Sequence, residues 1–186
     1  MPPTPSATAI GQTGFVRYLT IVRHGESTPA PPGGADFDRG LSDRGKQQCE
    51  ELREWASDPD ALGRFGPTIA LVSSAQRTKE TFRRAFAKTD FVRDKHYSEL
   101  IYNGRREVTP EDLLIELAAI DPVTTSLLVV AHNPTVLELM LLLAKEIPHS
   151  LRKFHYRLGA AYVLALPDDR PVGLKRYEVV SSYLPS

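Results

Sequence analysis

The sequence predicts a single α/β domain, a three-layer α/β/α sandwich with a mostly parallel central sheet. Short apolar, β-branched runs alternate along the chain with segments whose apolar residues recur at helical spacing. The tail breaks this alternation with two strand-like runs that have no helix between them. At 186 residues the chain is long enough for one domain with a substantial core and short for two.

Each element has a local justification. The leading fourteen residues, MPPTPSATAIGQTG, are rich in Pro, Thr, Ser and Gly and read as a disordered leader, so the domain is expected over residues 15–186. The run Tyr18-Leu19-Thr20-Ile21-Val22 reads as a buried strand, with Arg23-His24-Gly25 where it ends and the chain turns. A loop rich in Pro and Gly (residues 29–34), then Asp36 and Asp38, lead to a helix from about Asp43 with Ser42 as N-cap. Cys49, Leu52 and Ala56 recur along that helix, beside Trp55. Residues 68–72 form a second strand, which gives way to Ser73-Ser74 and a helix over about 77–87 that buries Phe82, Ala85 and Phe86. Residues 91–97 are a third strand. Thr109-Pro110-Glu111-Asp112 opens the next helix with Thr as N-cap, Pro at N1 and an acidic residue three beyond the cap. Its apolar face is Leu113, Leu114, Leu117 and Ile120. Residues 126–131 are a fourth strand, and His132-Asn133-Pro134 turns into a helix running to about Lys145. The closing strands are residues 160–166 and 176–180, joined through Pro167-Asp168-Asp169.

Composition narrows the function classes. Lys plus Arg balances Asp plus Glu at 23 each, so no net field draws the chain to nucleic acid or to a membrane surface. No apolar run approaches membrane-spanning length, and the leader lacks the basic start and apolar stretch of a signal peptide. The single cysteine, Cys49, excludes a disulfide framework and a multi-cysteine metal site, and it fits a reducing compartment. The expected location is cytoplasmic. The sequence carries no signal for an oligomeric state.

In open α/β sheets ligands bind at the carboxyl ends of the strands. Arg23 and His24 follow the first strand, Arg77 the second, Glu99 the third and His132 the fourth. Ends on one edge of a parallel sheet would gather two histidines, two arginines and a carboxyl group in one crevice, with helix N-termini adding positive dipole ends. That is an anion pocket holding a nucleophile. A phosphoryl group in flight spreads charge over its equatorial oxygens, which guanidinium forks match. Neutral His24, with one nitrogen held by a backbone carbonyl, would attack phosphorus in line, and water would hydrolyse the phosphohistidine. Glu99 would protonate the leaving oxygen and then activate the water. The arginines stabilise the charge, so no metal or cofactor is required.

Four segments in this order resemble the histidine phosphatase superfamily, the phosphoglycerate-mutase-like group. They are Ile21-Val22-Arg23-His24-Gly25-Glu26, Leu41-Ser42-Asp43-Arg44-Gly45, Ser73-Ser74-Ala75-Gln76-Arg77-Thr78-Lys79-Glu80-Thr81 and Val129-Val130-Ala131-His132-Asn133-Pro134. The resemblance covers the chain from about Tyr18 onward. It implies His24 as nucleophile and Arg23, Arg77 and His132 as phosphate ligands. Between Thr81 and His132 the chain holds only a strand, the Glu99 loop and one helix, without the larger insertion that covers the pocket in mutases and phytases. The chain therefore looks most like the SixA-type phosphohistidine phosphatases. The implied substrate is a phosphoprotein carrying phosphohistidine, with a small phosphomonoester or a non-catalytic phosphate-binding module as alternatives.

Other residues have plainer readings. Ser98-Glu99-Leu100 with Tyr102 and Gly104 resembles a mutase-like acid loop, yet Glu99 reads equally as general acid and as plain loop charge. Glu26 is expected to pack or pair near the site without a chemical role. Arg39, Ser42 and Arg44 read as a solvated loop and helix cap, and Cys49 as core. His96, His149 and His155 show no metal-site spacing. Tyr156 and Arg157 stand where relatives commonly place small hydroxyl residues, which points to altered substrate access.

Overall fold

The computed structural model describes residues 16–59, 61–62, 68–104, 106–123, 125–153, 155–166 and 170–186. The expected leader and the Pro167-Asp168-Asp169 connection lie outside the described residues. Strands β1 (Arg17–Arg23), β2 (Thr68–Ser73), β3 (Val92–Ser98) and β4 (Ser126–Ala131) alternate with helices α1 (Asp43–Ser57), α2 (Gln76–Ala85), α3 (Pro110–Ile120) and α4 (Thr135–Leu143). Strands β5 (Ala161–Leu166) and β6 (Val179–Tyr183) close the chain. The sheet order is β3-β2-β4-β1-β5-β6. β3, β2, β4 and β1 run parallel, and β5 is antiparallel to both β1 and β6.

Strand alternation sends successive side chains to opposite faces and so builds the two outer layers. Leu19, Ile21, Leu127 and Val129 pack with Leu113 and Leu117 of α3 and Leu139, Met140 and Leu143 of α4. Val22, Ala70, Val72, Leu128 and Val130 pack with Leu52 and Ala56 of α1 and Phe82 and Ala85 of α2. This is the three-layer sandwich that the sequence predicts. β1, β4 and β2 lie between the outer strands and are near-continuous apolar runs, as strands covered on both faces must be.

The caps form as read. Ser42 accepts from Gly45 N at 3.0 Å, and Thr109 with Asp112 makes a capping box. The closing strand differs: pairing with β5 runs over Val179–Tyr183 rather than 176–180. Tyr177 is instead bonded to the end of α4, through its N to Leu143 O at 2.6 Å and its O from Lys145 N at 2.7 Å. That pairing draws Ala144 into extended backbone and ends α4 at Leu143, short of Lys145. Among the described residues, no helix is long and apolar enough to cross a membrane.

Candidate active site

The carboxyl ends of β1, β2 and β4 converge on a cavity of about 290 Å³, lined by Arg23, His24, Glu26, Ser27, Asp36, Arg39, Arg77, Asn103, Gly104, His132, Asn133 and Leu158. The turn that carries His24 is held from several sides. His24 N donates to Ala131 O of β4 at 3.2 Å, and Gly159 N donates to the carbonyls of Arg23 and His24 at 3.1 and 3.0 Å. Gly159 has φ +75°, a left-handed conformation that glycine adopts without strain. Gly25 N donates to Thr81 Oγ1 of α2 at 3.1 Å, and Thr81 Oγ1 donates to Arg77 O at 2.8 Å. One hydroxyl thus ties the His24 turn to the helix that carries Arg77.

His24, Arg77 and His132 are 7%, 7% and 3% exposed and form the floor. His24 Nδ1 lies 2.7 Å from Gly25 O. A carbonyl can only accept, so Nδ1 carries the proton and Nε2 keeps its lone pair. Burial lowers the imidazole to about 3, and the charges of Arg77, Arg23 and Arg39 add to the shift against the carbonyl contact. The His132 ring sits 5.1 Å from that of His24, with Nε2 2.8 Å from Ser73 Oγ; burial, then His24, pushes it well below its ordinary value. Arg23 is anchored through Nη1 to Tyr156 O at 2.6 Å. Tyr156 is fully buried, with its hydroxyl donating to Ile21 O at 2.5 Å. It is thus a core anchor, not a gate, while exposed Arg157 reaches Pro185 O at 3.4 Å.

Four of the five expected site residues, Arg23, His24, Arg77 and His132, line the cavity. Glu99 is not among the residues that line it. β3 is the outermost strand, and Glu99 is exposed in the bend beyond it. The chain turns there, with Tyr102 N donating to Glu99 O at 3.1 Å, and it is Tyr102 and Asn103 that reach the site.

A second cluster had no assigned role in the sequence. Asp36 accepts from Arg39 Nη1 at 2.8 Å, from Arg77 Nη2 at 3.0 Å and from the Tyr102 hydroxyl at 2.8 Å. Its main-chain carbonyl accepts from Arg77 Nη1 at 2.8 Å. Burial works upward on this carboxyl but is outweighed by the Arg39 and Tyr102 bonds and by Arg77, which hold it at about 2. Arg39 is no freely solvated loop residue, because it also donates to Thr28 O and Ser27 Oγ. The available signal was Arg77 itself: a buried guanidinium needs a carboxylate, and the Asp36 and Asp38 loop could supply one. Glu26 lines the cavity and accepts from Ser42 Oγ at 2.7 Å.

Among the described residues, Arg17 Nε, Arg23 Nε, His132 Nδ1 and Asn133 Oδ1 are buried without a protein partner, and the last three belong to residues that line the cavity. Native interiors satisfy nearly all such groups, so their clustering here marks a functional site. No group of three His, Cys, Asp or Glu side chains among the described residues is arranged to hold a metal ion. Among the described residues, Arg23, Arg39 and Arg77 supply the cavity's positive charge.

The chain is similar to several solved structures. A protein assigned as phosphohistidine phosphatase SixA from Agrobacterium tumefaciens is 25% identical with a TM-score of 0.71, covering 91% of this chain and 99% of that one. The protein histidine phosphatase SixA complexed with tungstate is 17% identical with a TM-score of 0.67, covering 89% and 95%. A phosphoserine phosphatase from Entamoeba histolytica in complex with phosphoserine is 14% identical with a TM-score of 0.56, covering 89% and 96%. No curated protein matches the chain by sequence. The model of the histidine phosphatase superfamily (branch 1) matches residues 19–113, a span that holds Arg23, His24 and Arg77. With more than half its length within that match, this chain belongs to the histidine phosphatase superfamily, and it is a phosphatase.

Proposed function

We propose that the phosphatase works through a phosphohistidine at His24, without a metal, and that its substrate is phosphohistidine on a protein surface. The observation that carries the mechanism is the Nδ1 to Gly25 O contact, which leaves Nε2 of a neutral, buried imidazole free beside the guanidinium groups. In the first step the Nε2 lone pair forms a bond to phosphorus as the bond to the leaving group breaks. The electron pair departs with the leaving atom. Arg23 and Arg77 meet the equatorial oxygens as charge spreads onto them. In the second step water oxygen forms the bond to phosphorus, the Nε2 bond breaks, the electron pair returns to the ring, and the water's proton ends on the released phosphate.

The substrate reading rests on the carboxyl groups. An alkoxide must be protonated as it leaves. Glu99 stands outside the cavity, Asp36 is held as a carboxylate, and the Glu26 oxygen accepts from Ser42. With Asp36 ionised at its mouth and Glu99 outside it, the described site suits a P–N bond, whose imidazole leaves as a neutral molecule. The similarity to SixA proteins, one assigned as a phosphohistidine phosphatase, supports the same reading.

The test is turnover of a phosphohistidine-bearing protein, phosphoserine and p-nitrophenyl phosphate in EDTA, for the wild type and His24→Ala. Denaturing quench should trap acid-labile, base-stable phosphate on the wild type alone, and the phosphohistidine protein should be preferred. Turnover surviving in His24→Ala would remove the covalent mechanism, and preference for phosphoserine would move the substrate to small phosphomonoesters.

A further inference from the structure

The cavity is graded from floor to mouth. His24, Arg77 and His132 are buried, whereas the side chains of Asp36 and Arg39 are 48% and 29% exposed. In-line displacement puts the departing atom on the side of phosphorus opposite His24, which is toward the mouth. Asn103 and Arg39 are already engaged there. Asn103 Nδ2 donates to Thr135 Oγ1 at 2.9 Å, and the proton of that hydroxyl is shared between Val108 O at 2.8 Å and Asn103 Oδ1 at 3.1 Å. The three nitrogens of Arg39 are bonded to Thr28 O, Asp36 Oδ1 and Ser27 Oγ.

Asp36 keeps a vacancy. A carboxylate offers about four lone-pair sites. Among the described residues, Arg77 and Tyr102 donate to Oδ2 and Arg39 donates to Oδ1. Every one of these partners is a donor, so the group remains an ionised acceptor with one site open at the mouth.

We propose that Asp36 selects the leaving group: its carboxylate accepts a hydrogen bond from the ring N–H of the imidazole that departs from phosphohistidine. The proposal rests on the phosphohistidine reading above and assigns its specificity to one side chain. In a phosphoimidazole protonated on its other nitrogen the ring is cationic. As His24 Nε2 bonds to phosphorus and the substrate N–P bond breaks, the electron pair returns to the departing nitrogen. The ring leaves as neutral imidazole, and its N–H proton never moves. The carboxylate holds the substrate in this protonated form through a charge-assisted bond. An oxygen leaving group has the opposite requirement: it departs with negative charge, and Asp36 has no proton to give.

The experiment compares kcat/KM of wild type and Asp36→Asn on phosphoimidazole, 1-methyl-3-phosphoimidazolium and p-nitrophenyl phosphate, each corrected for spontaneous hydrolysis. The methylated cation keeps the N–P bond and the charge but has no N–H to donate. Asp36→Asn should lower phosphoimidazole turnover about tenfold or more, the scale of a lost hydrogen bond to a charged group. The other two substrates should change by a smaller, common factor, reflecting only the aim of Arg77. The alkaline limb of the phosphoimidazole pH profile should move to lower pH in the variant.

Equal loss on all three substrates would reduce Asp36 to a positioning residue for Arg77 and overturn the proposal. A second check needs no variant: the wild type should favour the N–H substrate over the methylated one, and indifference between them overturns the proposal while leaving the phosphohistidine reading intact. If the wild type hydrolyses p-nitrophenyl phosphate but not phosphoimidazole or a phosphohistidine protein, both readings fall together.

Discussion

Burial and the surrounding guanidinium groups lower His24 to about 3, so its imidazole is a free base at neutral pH, as the proposed attack requires. The same shift links stability to pH. As pH falls from the ordinary histidine value of about 6.5 toward 3, the unfolded chain takes up a proton at this residue that the folded chain does not. The unfolded state binds more protons throughout that window, so stability falls with falling pH and levels off above it. His132 is pushed the same way. Asp36, held at about 2 against an ordinary 3.8, adds its own loss only at lower pH. The melting temperature should therefore drop between about pH 6.5 and about pH 4.5, and His24→Asn should flatten that slope. An unchanged slope in the variant would place the pH dependence elsewhere.

At the level of elements, the turn after His24 and the start of α1 are nearly in backbone contact. A Cβ on Gly45 would lie 1.9 Å from Glu26 O, and one on Gly25 would lie 2.9 Å from Gly45 O. The obstacle in each case is backbone, which cannot swing aside as a flexible side chain can. Ser42 N donates to Glu26 O at 2.9 Å and Gln48 Oε1 accepts from Glu26 N at 2.9 Å, so α1 is sutured to the residues just past His24. Gly45→Ala should force this seam apart, lowering the melting temperature and cutting kcat/KM together although residue 45 lines no part of the cavity. A variant that melts lower while keeping wild-type kcat/KM would show that the seam positions nothing. The Leu41-Ser42-Asp43-Arg44-Gly45 segment quoted for its family resemblance thus acts through packing: Ser42 caps the helix and Gly45 admits the turn, while Arg44 points away to Ser186 O.

For the whole molecule, two apolar layers flank the sheet, and a buried ion pair ties its far end together. Arg17, at the start of β1, pairs with Asp121 at the end of α3, with both side chains wholly buried. Arg17 also donates to Arg170 O, and Asp121 accepts from Val123 N and Val172 N at 2.8 and 2.9 Å. Removing one partner of such a pair strands a charge in the interior, at a cost of about 3–5 kcal/mol. Asp121→Ala should destabilise by that order in denaturant unfolding. Because β1 places Arg17 at its opposite end from His24, the folded fraction should keep its KM. A loss below about 1 kcal/mol would mean that water reaches Arg17 and screens it.

Local signals determined much of this protein. Apolar runs, caps and helical spacing marked β1, β2, β4 and α1 through α4. Because Arg23, His24, Arg77 and His132 follow apolar runs directly, their convergence followed once the runs formed one parallel sheet. Tertiary structure alone decided three things. It put Tyr177 against the end of α4, which moved β6 by three residues. It carried the chain beyond edge strand β3 past Glu99 and brought Tyr102 to the site instead. It gave Asp36 to Arg77, a partner 41 residues away. Periodicity reports which side of an element meets the core, and it is written in neighbouring residues. The direction of a loop side chain is set by whichever distant group must be neutralised or hydrogen-bonded, and only the closed fold brings that group near.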